Sequence, residues 1–247
     1  MRGIGRVTQD RSRQVLGSGE NLGEPRIFPT LAILGSAGLY ATLPNRFVAG
    51  PSSGVFSVAR WILPALAVLL LAALIVSAPD SRVVQKLQPQ TARLHLGRRV
   101  ATLGLIGLLS AANGAAIVLL VHLLVNGARA QAPLLLRAGI HMWCMNVLVF
   151  ALWFWELDNG GPVARQTAGP DGRDFLFPQQ TMPEPSAALW QPLFLDYLYL
   201  AFTNATAFSP TDALPLSRWA KMLMLVESAA SLVLAVMVAA RAVNILK

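Results

Sequence analysis

Charge is what this sequence has least of. Only 13% of its 247 residues are Asp, Glu, Lys or Arg, roughly half the share of about 25% usual in soluble domains. With 55% hydrophobic residues and a mean hydropathy of +0.54, that shortage excludes an ordinary soluble fold. Acidic residues are scarcer than basic ones, 12 against 20, leaving a net charge of +8. The surplus is confined to the ends and loops. It therefore indicates no nucleic acid, because Lys and Arg held on the cytoplasmic side of a membrane chain give the same balance. Cysteine is nearly absent: Cys144 stands alone in an apolar run, so no intramolecular disulfide is available, and it reads as a small buried hydrophobe. Residues 1–26 lack the apolar core of a cleavable signal peptide. No HExxH, Walker, nucleophile-elbow or paired-carboxylate signature occurs, so the chain is read as non-enzymatic, without cofactor or metal. His122, His141, Glu156 and Asp158 come nearest to a ligand set. A metal site needs three or four such groups to converge, and the histidines are read as helix-to-helix hydrogen-bonding groups.

What is present is a succession of apolar runs. A basic arm over 1–26 carries Arg2, Arg6, Arg11, Arg13 and Arg26, read as a topology signal, with attraction to anionic headgroups as the other reading. Residues 27–157 form a four-helix transmembrane region, with spans near 27–44, 61–78, 101–125 and 138–157; about twenty apolar residues cross a bilayer. The segment 79–99 holds Arg82, Lys86, Arg93, Arg98 and Arg99. This segment and the arm both lie on the cytoplasmic side if the first two spans cross. Gly104, Gly107, Ala111 and Gly114 make a small-residue stripe suited to close helix packing. Phe150, Trp153, Phe154, Trp155 and Glu156 read as an interfacial aromatic belt. A Gly/Pro-rich loop over 158–189 follows, of a length that is functional or disordered. The last unit, 190–247, contains a short helix, a polar hairpin and a final span, with Ser217 as its N-cap.

The expected fold class is all-α, a polytopic protein of the cell membrane with five spans plus a short pore-type helix and hairpin. Six spans result if residues 193–208 cross. With the amino terminus inside, the fourth span delivers the 158–189 loop to the cytoplasm, whereas a channel filter faces outward. The two agree only in the six-span reading.

The hairpin places Thr203, Asn204, Thr206, Ser209, Thr211 and Asp212 between two segments apolar enough for lipid. Non-helical polar backbone at that depth is tolerated only when shielded by protein or lining an aqueous cavity, and a selectivity filter is one such arrangement. With Thr206, Asp212, Pro215, Ala220-Lys221, Glu227 and Arg241 in their order, the stretch resembles the pore module of two-helix potassium channels. Aligned on Asp212, Thr206 falls on the first filter Thr and Pro215 on the following Pro. Ala207 replaces the second Thr, Ser209 and Thr211 replace both glycines, and Pro210 replaces the Tyr. Glycine reaches the required backbone conformations without penalty and Pro210 fixes φ near −65°, so a potassium-type carbonyl ladder is not expected. Residues 138–246 also resemble an uncharacterised bacterial integral-membrane family through Phe177-Pro178, Asp196-Tyr197 and a Thr211-Asp212 step. That likeness implies a bacterial inner membrane and brings no activity with it.

The candidate ion-pathway residues are thus Thr203, Thr206, Ser209, Thr211, Asp212 and Glu227. The four hydroxyls offer oxygens to a small cation. Asp212 either braces a filter or caps the turn before Pro215. Glu227, set among Leu225, Val226 and Ala229 in the final span, is a functional candidate by default, with a helix-to-helix hydrogen bond as the equal alternative. The expected function is a channel-like pore closed by homo-oligomerisation in the lipid bilayer. The alternative is a non-conducting scaffold or sensor with the same packing.

Overall fold

The structure is a computed structural model and describes residues 27–43, 61, 64–69, 90–125, 132–165, 172–183, 190–206 and 213–245. It is mostly helical. In chain order the elements are α1 (Ile27–Thr42), α2 (Gln90–Val125), α3 (Ala132–Leu157), the one-turn α4 (Pro162–Arg165), β1 (Phe175–Leu176), α5 (Phe194–Thr206), β2 (Leu214–Pro215) and α6 (Arg218–Ile245). Residues 64–69, within the expected second span, are helical too. α2 and α3 both begin earlier than the sequence suggests, at Gln90 and Ala132.

Among the described residues three helices are long and apolar enough to cross a membrane, over Gly97–Val125, Pro133–Gly160 and Arg218–Ala240. α3 is the central one: 56% of its apolar window is buried, against 28% for α2 and 22% for α6. α1, α2, α5 and α6 all pack on it. Lipid tails are as apolar as leucine, so close packing and interhelical hydrogen bonds, rather than hydrophobic burial, hold such a bundle together. α3 and α6 pack tightly at Gly139, where an added Cβ would stand 2.5 Å from Val238 Cγ2. Of the expected small-residue stripe on α2, Gly107 faces α3, where an added Cβ would stand 3.9 Å from Trp153 Cζ2, whereas a Cβ at Gly104 or Gly114 meets no described atom within 4 Å.

α3 ends where Asn159, Gly160 and Gly161 take positive φ of 50°, 80° and 99°. Gly161 is required twice over, since a Cβ there would lie 2.9 Å from Glu156 O. The turn leads through α4 to β1, which pairs antiparallel with β2 in the register Phe175↔Pro215 and Leu176↔Leu214. This pairing brings the start of α6 to the end of α3. Tyr197, in the first turns of α5, bonds Asp158 at that same end.

The directions of the helices follow. α3 runs towards the capped end and α6 away from it. Asn204 of α5 sits beside Met224, Glu227 and Ser228 of α6, so α5 and α6 are parallel neighbours. At 13 residues α5 is about 20 Å long, short of a hydrocarbon core of about 30 Å. The chain regains the capped end by Ala213. α5 thus hands over to a parallel α6. α2 is antiparallel to α3, with Ser110 beside Trp153 and Asn113 beside Asn146. Its basic first turns therefore share the capped end.

Candidate functional site

Two polar clusters interrupt the apolar bundle. The first is the cap. Asp158, 2% exposed, accepts from the backbone N–H of Asp174 (2.9 Å) and Phe175 (3.3 Å) at Oδ1, and from the Tyr197 hydroxyl (2.5 Å) at Oδ2. Arg165 Nη1 donates to Trp155 O (2.5 Å) and Asp158 O (3.0 Å), and its guanidinium lies 5.0 Å from the Tyr197 ring centroid. Asp174 accepts from Asn159 N (3.1 Å) and from Trp219 Nε1 (2.8 Å). The Phe154, Tyr197 and Trp219 rings surround Phe175 at centroid distances of 5.2–6.4 Å, mostly edge to face. Each such pair adds roughly 0.5–1.5 kcal/mol beyond burial.

The aromatic run at the end of α3 is therefore core rather than an interfacial belt: Phe150, Phe154 and Trp155 are buried, and Trp153 donates to Ser110 Oγ at 2.7 Å. The described parts of the 158–189 loop are ordered by short elements. On the 3-10 turn Pro178–Thr181 the Phe177 N–H donates to Gln180 Oε1 (3.1 Å) and the Gln180 N–H to Phe177 O (3.0 Å). Asp196 bonds the Leu193 N–H at 2.7 Å to open α5. Ser217 Oγ accepts from Ala220 N at 3.3 Å, the expected N-cap of α6.

The second cluster lies deeper, where four helices meet. Glu227 is completely buried, about 14 Å along α6 from its first residue. Its Oε2 accepts from Asn204 Nδ2 at 2.6 Å, and the same amide reaches Met224 O at 2.9 Å. Ser228 Oγ stands 3.0 Å from Asn204 Oδ1 and 3.1 Å from Asn204 O. Asn146 of α3 donates to Ser231 Oγ (3.0 Å) and to Glu227 O (3.3 Å), and accepts from Asn113 of α2 at 3.4 Å. Asn113, Asn146 and Ser231 are at most 3% exposed. Among the described residues, Glu227 Oε1 and Asn113 Oδ1 are buried oxygens of this layer with no hydrogen-bond partner. Both are acceptors.

No protein-family model, curated protein or solved structure matches the chain.

Of the candidates taken from the sequence, Glu227, Thr203 and Thr206 are described, and Ser209, Thr211 and Asp212 lie outside the described residues. Thr203 Oγ1 lies 3.0 Å from the carbonyls of Tyr199 and Leu200, and Thr206 Oγ1 3.0 Å from that of Thr203. Their protons are thus committed to α5 itself, and only lone pairs remain for a ligand. Among the described residues no bond joins either threonine to Glu227. His141 Nδ1 contacts Arg137 O of its own helix at 2.6 Å rather than a neighbouring helix. Among the described residues no three His, Cys, Asp or Glu side chains gather.

Sequence reasoning passed over Asn146, the hub between α2, α3 and α6. Its only signal is an amide in an otherwise apolar run.

Proposed function

We propose that this chain is a multi-pass protein of the plasma membrane whose carboxy-terminal module, α5 and α6 with the segment joining them, is channel-like and passes a small cation without a potassium-type filter. One observation carries the reading: α5 and α6 start together at the capped end and run parallel, the arrangement of a helix that dips into a bilayer and returns before the next helix crosses. A fully buried carboxylate with an unpartnered oxygen lies beside that dip. Intramembrane carboxylates face bundle interiors or aqueous paths and mark ion routes. Leu225, Val226, Leu232, Val233 and Val236 of α6 are outward-facing, and supply the apolar surface for lipid and for the homo-oligomeric contacts that close a pore. The basic start of α2 shares the capped end, so the positive-inside rule puts the mouth of the module at the cytoplasm. That is the reverse of a potassium channel.

A non-conducting scaffold or sensor is the second reading. It is favoured by the threonine hydroxyls of α5, which are bonded to their own helix. The full chain reconstituted in liposomes decides between them. Cation flux reduced at least tenfold by Glu227→Gln and by Asp212→Asn supports the channel. Absence of flux, with only monomers in native-size measurements, leaves the scaffold.

A further inference from the structure

The deep layer contains more hydrogen-bond acceptors than donors. Asn204 Nδ2 already serves Met224 O and Glu227 Oε2, and Asn146 Nδ2 already serves Ser231 Oγ and Glu227 O. Glu227 Oε1 is left with nothing, at a residue with no exposed surface. A buried charge is tolerated when it is paired, and otherwise the group neutralises. Among the described residues the groups facing Glu227 carry no compensating charge: Asn146 comes from α3, Asn113 from α2 through Asn146, Asn204 from α5, and Ser228 and Ser231 from α6 itself. The nearest titratable or charged side chains on these helices are Cys144 and His141 on α3, His122 on α2, Asp196, Tyr197 and Tyr199 on α5, and Arg218 and Lys221 on α6. Among the described residues no hydrogen bond joins any of them to Glu227. Glu227 Oε1 offers one open acceptor oxygen among the described residues. An alkali ion calls for a shell of several oxygens, whereas one free carboxylate oxygen is enough for a proton.

We infer that Glu227 Oε1 is the seat of an exchangeable proton, so that the small cation handled by the module is H⁺. This rests on the cation-conducting reading above, and specifies its ion. Loading forms an O–H bond at Oε1 and neutralises the carboxylate; release returns the proton to water and leaves Asn204 Nδ2 bonded to the charged group. Asn204 is a positioning residue: it fixes which oxygen is engaged and which is left open.

The test is pH-difference infrared spectroscopy of the purified full-length chain in lipid. A protonated-carboxyl C=O band is expected that titrates out as pH rises, is absent from Glu227→Gln, and is indifferent to sodium at fixed pH. Asn204→Ala should move the midpoint of that titration by roughly tenfold in proton affinity, the weight of one hydrogen bond to a charged group. A band unchanged across the pH range, a band that persists in Glu227→Gln, or no such band at all overturns the inference. A band abolished by sodium also overturns it and assigns an alkali ion instead. Because this readout needs no transport, a silent flux assay with a titrating Glu227 band would sink the channel reading while leaving the proton site standing.

Discussion

The cap and the deep layer are both built from carboxylates buried near aromatic or apolar side chains, yet they are finished differently. At the cap both oxygens of Asp158 and both of Asp174 have donors, drawn from backbone, Tyr197 and Trp219. In the layer Glu227 has one oxygen engaged and one open. A buried carboxylate with both oxygens engaged stiffens its surroundings, and one only partly engaged is costly at low dielectric. The cap is built for holding; the layer leaves room for something else to bind. Substitutions at the two sites should therefore separate stability from function.

The largest loss of stability is expected from Asp158→Ala, which strands the Tyr197 hydroxyl and two backbone N–H groups in an aromatic core. About 3–5 kcal/mol is expected, read as a large drop in the thermal midpoint in detergent. Equal destabilisation by Asp158→Ala and Glu227→Gln would erase the distinction. Gly161→Val comes next, at about 2–3 kcal/mol, because φ of 99° and a contact at 2.9 Å with Glu156 O leave no room for a β-branched side chain. Gly139→Ala forces α3 away from Val238 and should cost roughly 1–3 kcal/mol, also measured by thermal unfolding. Asn146→Leu removes the hub of the layer. Interhelical hydrogen bonds in membranes average about 0.6 kcal/mol, with a maximum near 1.7, so a loss of about 1 kcal/mol is expected by the same assay. Glu227→Gln should be the mildest, within about 1 kcal/mol of the parent because the shape and the Asn204 contact survive. Flux should nevertheless collapse.

How legible each region is in the sequence follows from the range of its contacts. The runs behind the three long apolar helices and the Ser217 cap are local signals that appear where the sequence places them, although helix starts at Gln90 and Ala132 are displaced. Glu227 is conspicuous because a carboxylate among Leu225, Val226 and Ala229 has no local reason to be there. The cap is different. Asp158 meets residues 16, 17 and 39 positions away, and no periodicity announces such pairs. The composition Phe150, Trp153, Phe154, Trp155 serves an interfacial belt and a buried stack equally well, and only the docking of Phe175 and Tyr197 decides between them. The α2 stripe is only partly a packing signal, with Gly107 against Trp153 and Gly104 and Gly114 open to the described atoms, because small residues permit close approach without requiring it. Asn146 escapes notice because one amide barely changes the hydropathy of its surroundings.

The long reach of Asp158's partners fixes an order of events during synthesis. When α3 emerges, its terminal carboxylate has none of its three donors, since Asp174, Phe175 and Tyr197 are all still to be made. The end of α3 must therefore wait in a polar setting until α5 arrives, and only the later start of α6 supplies β2 and Trp219 to shut it. The cap is a latch that the last helix closes, so truncation anywhere before Trp219 should leave the earlier helices inserted but unsealed.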